Sequence, residues 1–344
     1  MVIADELLFN INGNRQDVKL VAWGWDAYFY RNKELQGNIV FDSLKPHVVF
    51  GYLRVDTAAT LTIQAGSKIY FHKDAYLAAS YQSSLKVEGN LQHPVHFQGD
   101  RLDPFYRDLP GQWNGIYLEK GSFENEIIYA IIKNGKTGIQ VDSAGTSALP
   151  MLKLDNTIIQ NTTGPGLYAY ASSIKSINCV IGDCGSEAIA LVFGGSYDFR
   201  QLTIGNYWSS SVRLDSSLYL SNYIYDNFGS KRTNPLTNAY FGNIILYGNQ
   251  ENELGFDIEP SVQFNYTFDH CLLKTTKKTN DPLHFTNCIV NQDPLFRNPL
   301  LFDYQIDSLS PARRQGTSSV NVLEDIKGIY LTDPPDLGAY QYVQ

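Results

Sequence analysis

Ile159-Gln-Asn161-Thr-Thr-Gly-Pro-Gly-Leu167-Tyr-Ala169 is followed, about 22 residues on, by Ile181-Gly-Asp183-Cys-Gly-Ser-Glu-Ala-Ile189-Ala-Leu191. Both stretches carry one phrase: an aliphatic, a spacer, an Asn or Asp, a short loop, then an alternating pair. Ile132-Lys-Asn134 with Ile139/Val141 comes before them, and Ile204-Gly-Asn206 with Val212/Leu214 comes after. The leading aliphatics lie about 22 to 27 residues apart, a period that belongs to solenoids, where each repeat buries its apolar face against the next. A third short strand precedes each phrase: Leu152/Leu154, Ile174/Ile177 and Tyr197/Phe199. Three short strands and three turns per repeat predict an all-β chain wound as a parallel β-helix, a single-stranded solenoid whose coils lie about 4.8 Å apart.

Two polar columns accompany the aliphatic one. Asn134, Asn161, Asp183 and Asn206 fall at one corner of the coil, where amides can bond the turn backbone and each other along the stack. Asn156, Asn178 and Gln201 precede the aliphatic by three residues and predict a second ladder. On this reading Asp183 is structural, although Asp183 and Glu187 otherwise look like a carboxylate pair.

Outward from the repeat, strands are expected at Leu53/Val55, Leu61/Ile63, Ile69/Phe71, Leu85/Val87, Val95/Phe97 and Ile116/Leu118. Residues 4–25 read as a hairpin turning at Asn12-Gly13-Asn14; a lone hairpin is marginal in water, so it is expected to pack on something. The rhythm breaks at 207–240, read as one protruding insertion, and resumes at Asn243-Ile-Ile-Leu246, Asp269-His-Cys-Leu272 and Asn287-Cys-Ile-Val290. Pro294, Pro299, Pro311, Pro334 and Pro335 mark an irregular closing segment over the open end of the stack. The expected division is 1–26 hairpin, 27–300 β-helix and 301–344 closure.

The 344 residues are 43% apolar and only 18% charged, with 23 Tyr, 18 Phe and 2 Met. A formal charge of −8 argues against a nucleic-acid partner, which needs concentrated Lys and Arg. No apolar run approaches a membrane span. Cys179, Cys184, Cys271 and Cys288 are too few for a disulfide scaffold and have no CxxC pairing, so they read as small apolar fillers. No metal ligand set stands out: a calcium cage needs a run of acids that is not seen, and no cofactor is expected. Met1-Val-Ile-Ala-Asp-Glu has neither the basic start nor the apolar stretch of a signal peptide.

Leu61-Thr-Ile-Gln-Ala-Gly66-Ser-Lys-Ile-Tyr-Phe71, Leu85-Lys-Val-Glu-Gly89 and Gly111-Gln-Trp113-Asn-Gly115-Ile-Tyr-Leu118 look like segments of a known family. So do Asp293-Pro-Leu-Phe296, Ser310-Pro311-Ala312 and Asp336-Leu-Gly-Ala-Tyr340 near the end. From about residue 45 onward the chain resembles the secreted right-handed parallel β-helix proteins of Bacteroides-type bacteria, many of them surface lipoproteins, within the pectate-lyase-like superfamily. Residues 1–26 resemble the last hairpin of an immunoglobulin-like sandwich that often precedes such a β-helix. The resemblance implies right-handed winding and an extracytoplasmic location. It also raises uronate chemistry, but the Asn-Thr-Asp, Asp-Asp and Gly-His-Gly signatures of the polygalacturonase relatives are absent.

The candidate catalytic residues are Asp198, Arg200, Arg213 and Asp215, expected to point outward and to hold an acidic sugar beside the insertion; surface ion pairs between coils are the competing reading. The candidate ligand platform is Tyr207, Trp208, Tyr223 and Tyr225, since sugars stack their C–H faces on rigid rings. Alternatively, these rings shield a small core of the insertion. His96 is expected to face out between Val95 and Phe97, alone. The expected function is binding of a polysaccharide or other extended glycan by a monomer. Alternatives are a polysaccharide lyase or glycoside hydrolase with its acids and bases around 183–226, and a structural or adhesive spacer with no site.

Overall fold

The computed structural model describes residues 2–24, 26–143 and 149–343, apart from the side chains of 2–4 and 21–23. The protein is nearly all β. Twenty-six strands join in one mostly parallel sheet, each strand pairing with one a repeat away. The pairings run in three series, a pattern compatible with a parallel β-solenoid.

In the first series Ile69, Phe97, Ile132, Ile159, Ile181, Ile204, Leu246 and Leu273 stand side by side in register. The second aligns Leu53, Leu77, Ile116, Ile139, Leu167, Ile189, Leu218 and Leu254. All sixteen side chains are fully buried. The third aligns Ile63, Val87, Ile127, Leu154, Ser176, Phe199, Phe241, Phe268 and Phe285. Its last four rings stack nearly parallel at centroid spacings of 5.5, 4.7 and 5.4 Å. Like side chains fall on like side chains because each repeat keeps the alternation of the one before, and burial of these columns drives the assembly.

Two inward assignments need correction. Ser176, not Ile177, is the buried partner of Ile174, because strand alternation puts residues two apart on one side. The inward pair after Asn206 is Leu218/Leu220; Val212 and Leu214 are 83% and 86% exposed.

The second polar column is longer than expected. Asn156, Asn178, Gln201, Asn243, His270 and Asn287 all take positive φ, from 49° to 55°, a conformation Asn accepts more readily than most residues. Asn178 donates to Asn156 at 3.2 Å and Asn243 to Gln201 at 3.0 Å. The first column is a ladder only at its start, where Asn161 donates to Asn134 Oδ1 at 2.8 Å. Asn206 instead accepts from the Cys184 amide at 2.9 Å, and Asp183 accepts from the Tyr304 hydroxyl.

Tyr304 belongs to the closing segment, which lies back along the outside of the first series. There Val180, Ile245 and Leu272 point away from the interior yet are buried, packed against Tyr304, Ile306, Ile326, Leu337 and Ala339. Corner amides anchor it: Asn178 donates to the Glu324 carbonyl, Gln201 to those of Asp336 and Gly338, and Asn243 to that of Thr317. The Asp336 carboxylate gathers the Arg314 and Tyr342 amides and the Gln341 side chain, each at 2.7 Å. Gly338 takes φ 86°, and a Cβ there would meet Thr203 Oγ1 at 2.6 Å, so the segment seats closely only with glycine.

Val2–Ile11 and Asn14–Trp23 pair antiparallel around Asn12 and Gly13, both at positive φ. The pair forms its own two-stranded sheet, and Leu7, Phe9, Ile11, Val18 and Leu20 are all exposed, contrary to the expectation that the hairpin packs on a neighbour. The 207–240 stretch is not one insertion. A loop leads to Leu218–Ser221, which rejoins the second series, and a small hairpin, Tyr223–Tyr225 with Lys231–Thr233, follows.

Candidate functional site

The outer surface of the third series carries a row of polar side chains. Strands Leu152–Asp155, Leu167–Ile177, Ile189–Arg200 and Leu236–Gly242 present alternate residues outward while Leu154, Ser176, Phe199 and Phe241 fill the interior. Register aligns Lys153, Lys175, Asp198 and Tyr240 in one outward row. A cleft of about 270 Å³ opens there, lined by Ser173, Lys175, Ser196, Asp198 and Asn238 among others. A smaller hollow of about 180 Å³ adjoins it and adds Arg200.

Asp198 and Arg200 point outward as the alternation requires. Arg200 grips Asp198 with two bonds, Nε to Oδ1 at 2.7 Å and Nη2 to Oδ2 at 2.8 Å, and gives Nη1 to the Val320 carbonyl at 2.9 Å. Such a fork is strong and directional. Its guanidinium also lies 5.7 Å from the Tyr240 ring centre. Lys153 pairs with Asp155 at 3.5 Å, and burial pushes the Asp155 carboxyl above the usual range. Lys175, between these two pairs, is exposed and has no acid partner among the described residues. Beyond Tyr240 the polar line continues: its hydroxyl donates to Asp269, Asp269 holds His270 Nδ1 at 2.7 Å, and His270 Nε2 meets the Asn287 amide at 3.0 Å.

Arg213 and Asp215 are not part of this face. Arg213 was expected to face out between Val212 and Leu214; it points in and is 4% exposed. It bonds both oxygens of Glu253, at 2.9 and 2.8 Å, the Asn249 side chain, and the carbonyls of Asn206 and Asp215. Glu253 also accepts from the Ser217 amide and hydroxyl. The loop therefore turns its charge inward and its aliphatics outward, which inverts the expected phase. Asp215 contributes its backbone here while its side chain is exposed. The four candidate residues thus separate: Asp198 and Arg200 pair with each other, Arg213 pairs with Glu253, and Asp215 contributes only its carbonyl.

The aromatic candidates also separate. Tyr207 is half-buried against Tyr304 of the closing segment and Phe296 just before it, and burial raises its hydroxyl's pKa. Trp208 is buried, its indole nitrogen donating to Ser211 at 2.9 Å. Tyr223 and Tyr225 sit on the small hairpin, edge to face at 5.8 Å, with Lys231 4.4 Å from the first ring centre. Tyr225 is the exposed member of the set. His96 is half-buried, between the buried Val95 and Phe97.

Lys175, Tyr240 and Asp269 were not singled out in the sequence. Their signal lay in the inward residues: once Ile174, Ser176 and Phe241 are placed, alternation assigns the outward row. Glu253 carried no such signal, because its partner is forty positions away in a loop. Among the described residues no three His, Cys, Asp or Glu side chains converge as a metal site would need. No helix among the described residues is long and apolar enough to cross a membrane. No protein-family model matches the chain, and no curated protein matches it either.

Proposed function

We propose that this chain is a right-handed parallel β-helix of the pectate-lyase-like kind, extracytoplasmic, which binds an extended acidic glycan across the outer surface of its third strand series. The observation that carries the reading is Lys175: an exposed, uncompensated cation in a polar cleft, flanked by serine hydroxyls and the Asn238 amide, with Arg200 beside it. Hydroxyls and amides match sugar hydroxyls, and a lysine matches a uronate or sulfate group. A long chain running from coil to coil would meet the same outward positions repeatedly, since one coil step and one pyranose unit are similar in length. The Asp198–Arg200 fork stiffens the cleft rather than offering a free guanidinium.

Affinity electrophoresis of the full chain in gels containing an acidic polysaccharide tests this. The protein should be retarded by polygalacturonate or a sulfated glycosaminoglycan and not by a neutral glucan, and Lys175→Ala should weaken retardation about tenfold, the loss of one charge-assisted contact. Retardation that survives Lys175→Ala would move the site elsewhere. Ultraviolet-absorbing unsaturated uronides or new reducing ends in the same incubations would make it a lyase or a hydrolase. No interaction with any glycan of a broad panel would leave the spacer reading.

A further inference from the structure

Cys271 and Cys288 follow His270 and Asn287, the left-handed corner residues of two consecutive coils. Register on either side holds them level: Asp269 stands beside Thr286 and Leu272 beside Ile289, at the same offset. The Ile289 amide donates to the Cys271 carbonyl at 2.8 Å, and the His270 amide to that of Thr286 at 2.8 Å. Each thiol leans back towards the preceding coil, Cys271 Sγ donating to the Phe241 carbonyl at 3.2 Å and Cys288 Sγ to the Phe268 carbonyl at 3.4 Å. Level positions on adjacent parallel strands lie roughly 4.8 Å apart, inside the Cα separation a disulfide accepts. Cys271 is fully buried and Cys288 half-buried, so one sulfur is open to a reagent and the other waits behind it.

The remaining cysteines provide an internal contrast. Cys179 occupies the same corner position three coils before Cys271, with Val180 beside Thr203 and Asn178 beside Asn156, so no sulfur lies next to it. Cys184 stands beside Thr162. Burial pushes both thiols up to about 12, whereas the neighbouring Cys271 thiol lowers that of Cys288.

We propose that Cys271 and Cys288 are a disulfide-forming pair that staples the last coil of the stack to the one before it, while Cys179 and Cys184 remain thiols. The oxidant is a small-molecule disulfide. The Cys288 thiolate attacks one of its sulfurs, forming a mixed disulfide and expelling one small thiolate. Cys271 then gives up its proton, attacks the Cys288 sulfur and releases the second small thiol. Two S–H bonds are lost, one S–S bond forms, the protein loses two electrons and the small disulfide gains them. The staple falls where the sheet is thinnest: Leu272–Leu273, Phe285–Thr286 and Ile289–Val290 are two-residue strands. This inference does not depend on the glycan reading.

The test treats the reduced full chain with oxidised glutathione, then counts thiols by alkylation and mass spectrometry, with and without unfolding. We expect two of the four thiols to disappear, a peptide cross-linking Cys271 to Cys288, and Cys179 and Cys184 alkylated only after unfolding. Amide exchange at Phe285–Val290 should slow by about tenfold on oxidation, because a cross-linked end opens less often. Cys271→Ser should stop at one glutathione held by Cys288, and Cys288→Ser should keep three thiols. Four surviving thiols, a mixed disulfide that persists in the unsubstituted protein, a cross-link between chains, or unchanged exchange would overturn the proposal.

Discussion

Arg213 and Glu253 meet at 2.8 Å with side chains 1% and 0% exposed, forty residues apart in the chain and side by side in the fold. Two charges taken so far from water are tolerable only because each is bonded on several sides, and Arg213 Nε still lacks a partner. Removing either partner strands the other. Arg213→Ala or Glu253→Ala should each destabilise by about 3–5 kcal/mol, and Arg213→Met with Glu253→Leu should recover much of that loss. Urea denaturation of the four proteins checks it; equal losses in the single and double variants would show that the pair is not the coupled unit.

Asn161 bonds Asn134 Oδ1 and the Asp108 carbonyl, both at 2.8 Å, from a backbone at φ 58°. Asn161→Ala loses both bonds and puts a poorly suited residue into the left-handed region, an expected cost of about 2–3 kcal/mol. Asn161→Gly keeps the conformation and should cost roughly half as much. The order of the two denaturation midpoints is the readout.

Burial pushes the Asp183 carboxyl up to about 7, against the Tyr304 hydrogen bond, the Tyr207 amide and the Arg213 charge, which all pull it down. An unfolded Asp titrates near 3.9, roughly. Between those values the folded state holds the proton more tightly than the unfolded one. Stability from this group is therefore fully present below about pH 4, is lost as pH rises towards 7, and is flat above, with a slope of at most about 1.4 kcal/mol per pH unit. Asp183→Asn should flatten that slope in denaturation curves collected from pH 5 to 8. A slope that persists in the variant would assign it to another group.

Tyr225 is 62% exposed on its hairpin and does not line the Lys175 cleft. Tyr225→Ala should shift stability by less than about 0.5 kcal/mol and leave retardation on acidic gels unchanged. A loss of retardation comparable to that of Lys175→Ala would restore the hairpin as the ligand platform.

The aliphatic columns were legible because strands one repeat apart pair in register, and a one-residue slip would turn every side chain over. The same rule failed at Val212-Arg213-Leu214, where alternation was right but its phase was reversed by Glu253, a residue no local pattern could connect. The closing segment left a signal that was not used. Val180-Ile181, Ile244-Ile245-Leu246 and Leu272-Leu273 are adjacent apolar residues, and unbroken apolar runs mark strands covered on both sides. Of the candidate site, Asp198 and Arg200 were placed correctly as outward residues. Lys175 was not singled out, since one lysine on a strand looks like any solvated charge until its neighbours are seen to be paired.

The closing segment touches corner after corner: Glu324 at Asn178, Gly338 at Gln201 and Thr317 at Asn243. It works as a ruler laid against the stack. A whole coil added or removed among those corners would leave the graduations out of step, with buried amides facing the wrong carbonyls. The repeats from Asn178 to Asn243 should therefore be held to a fixed count.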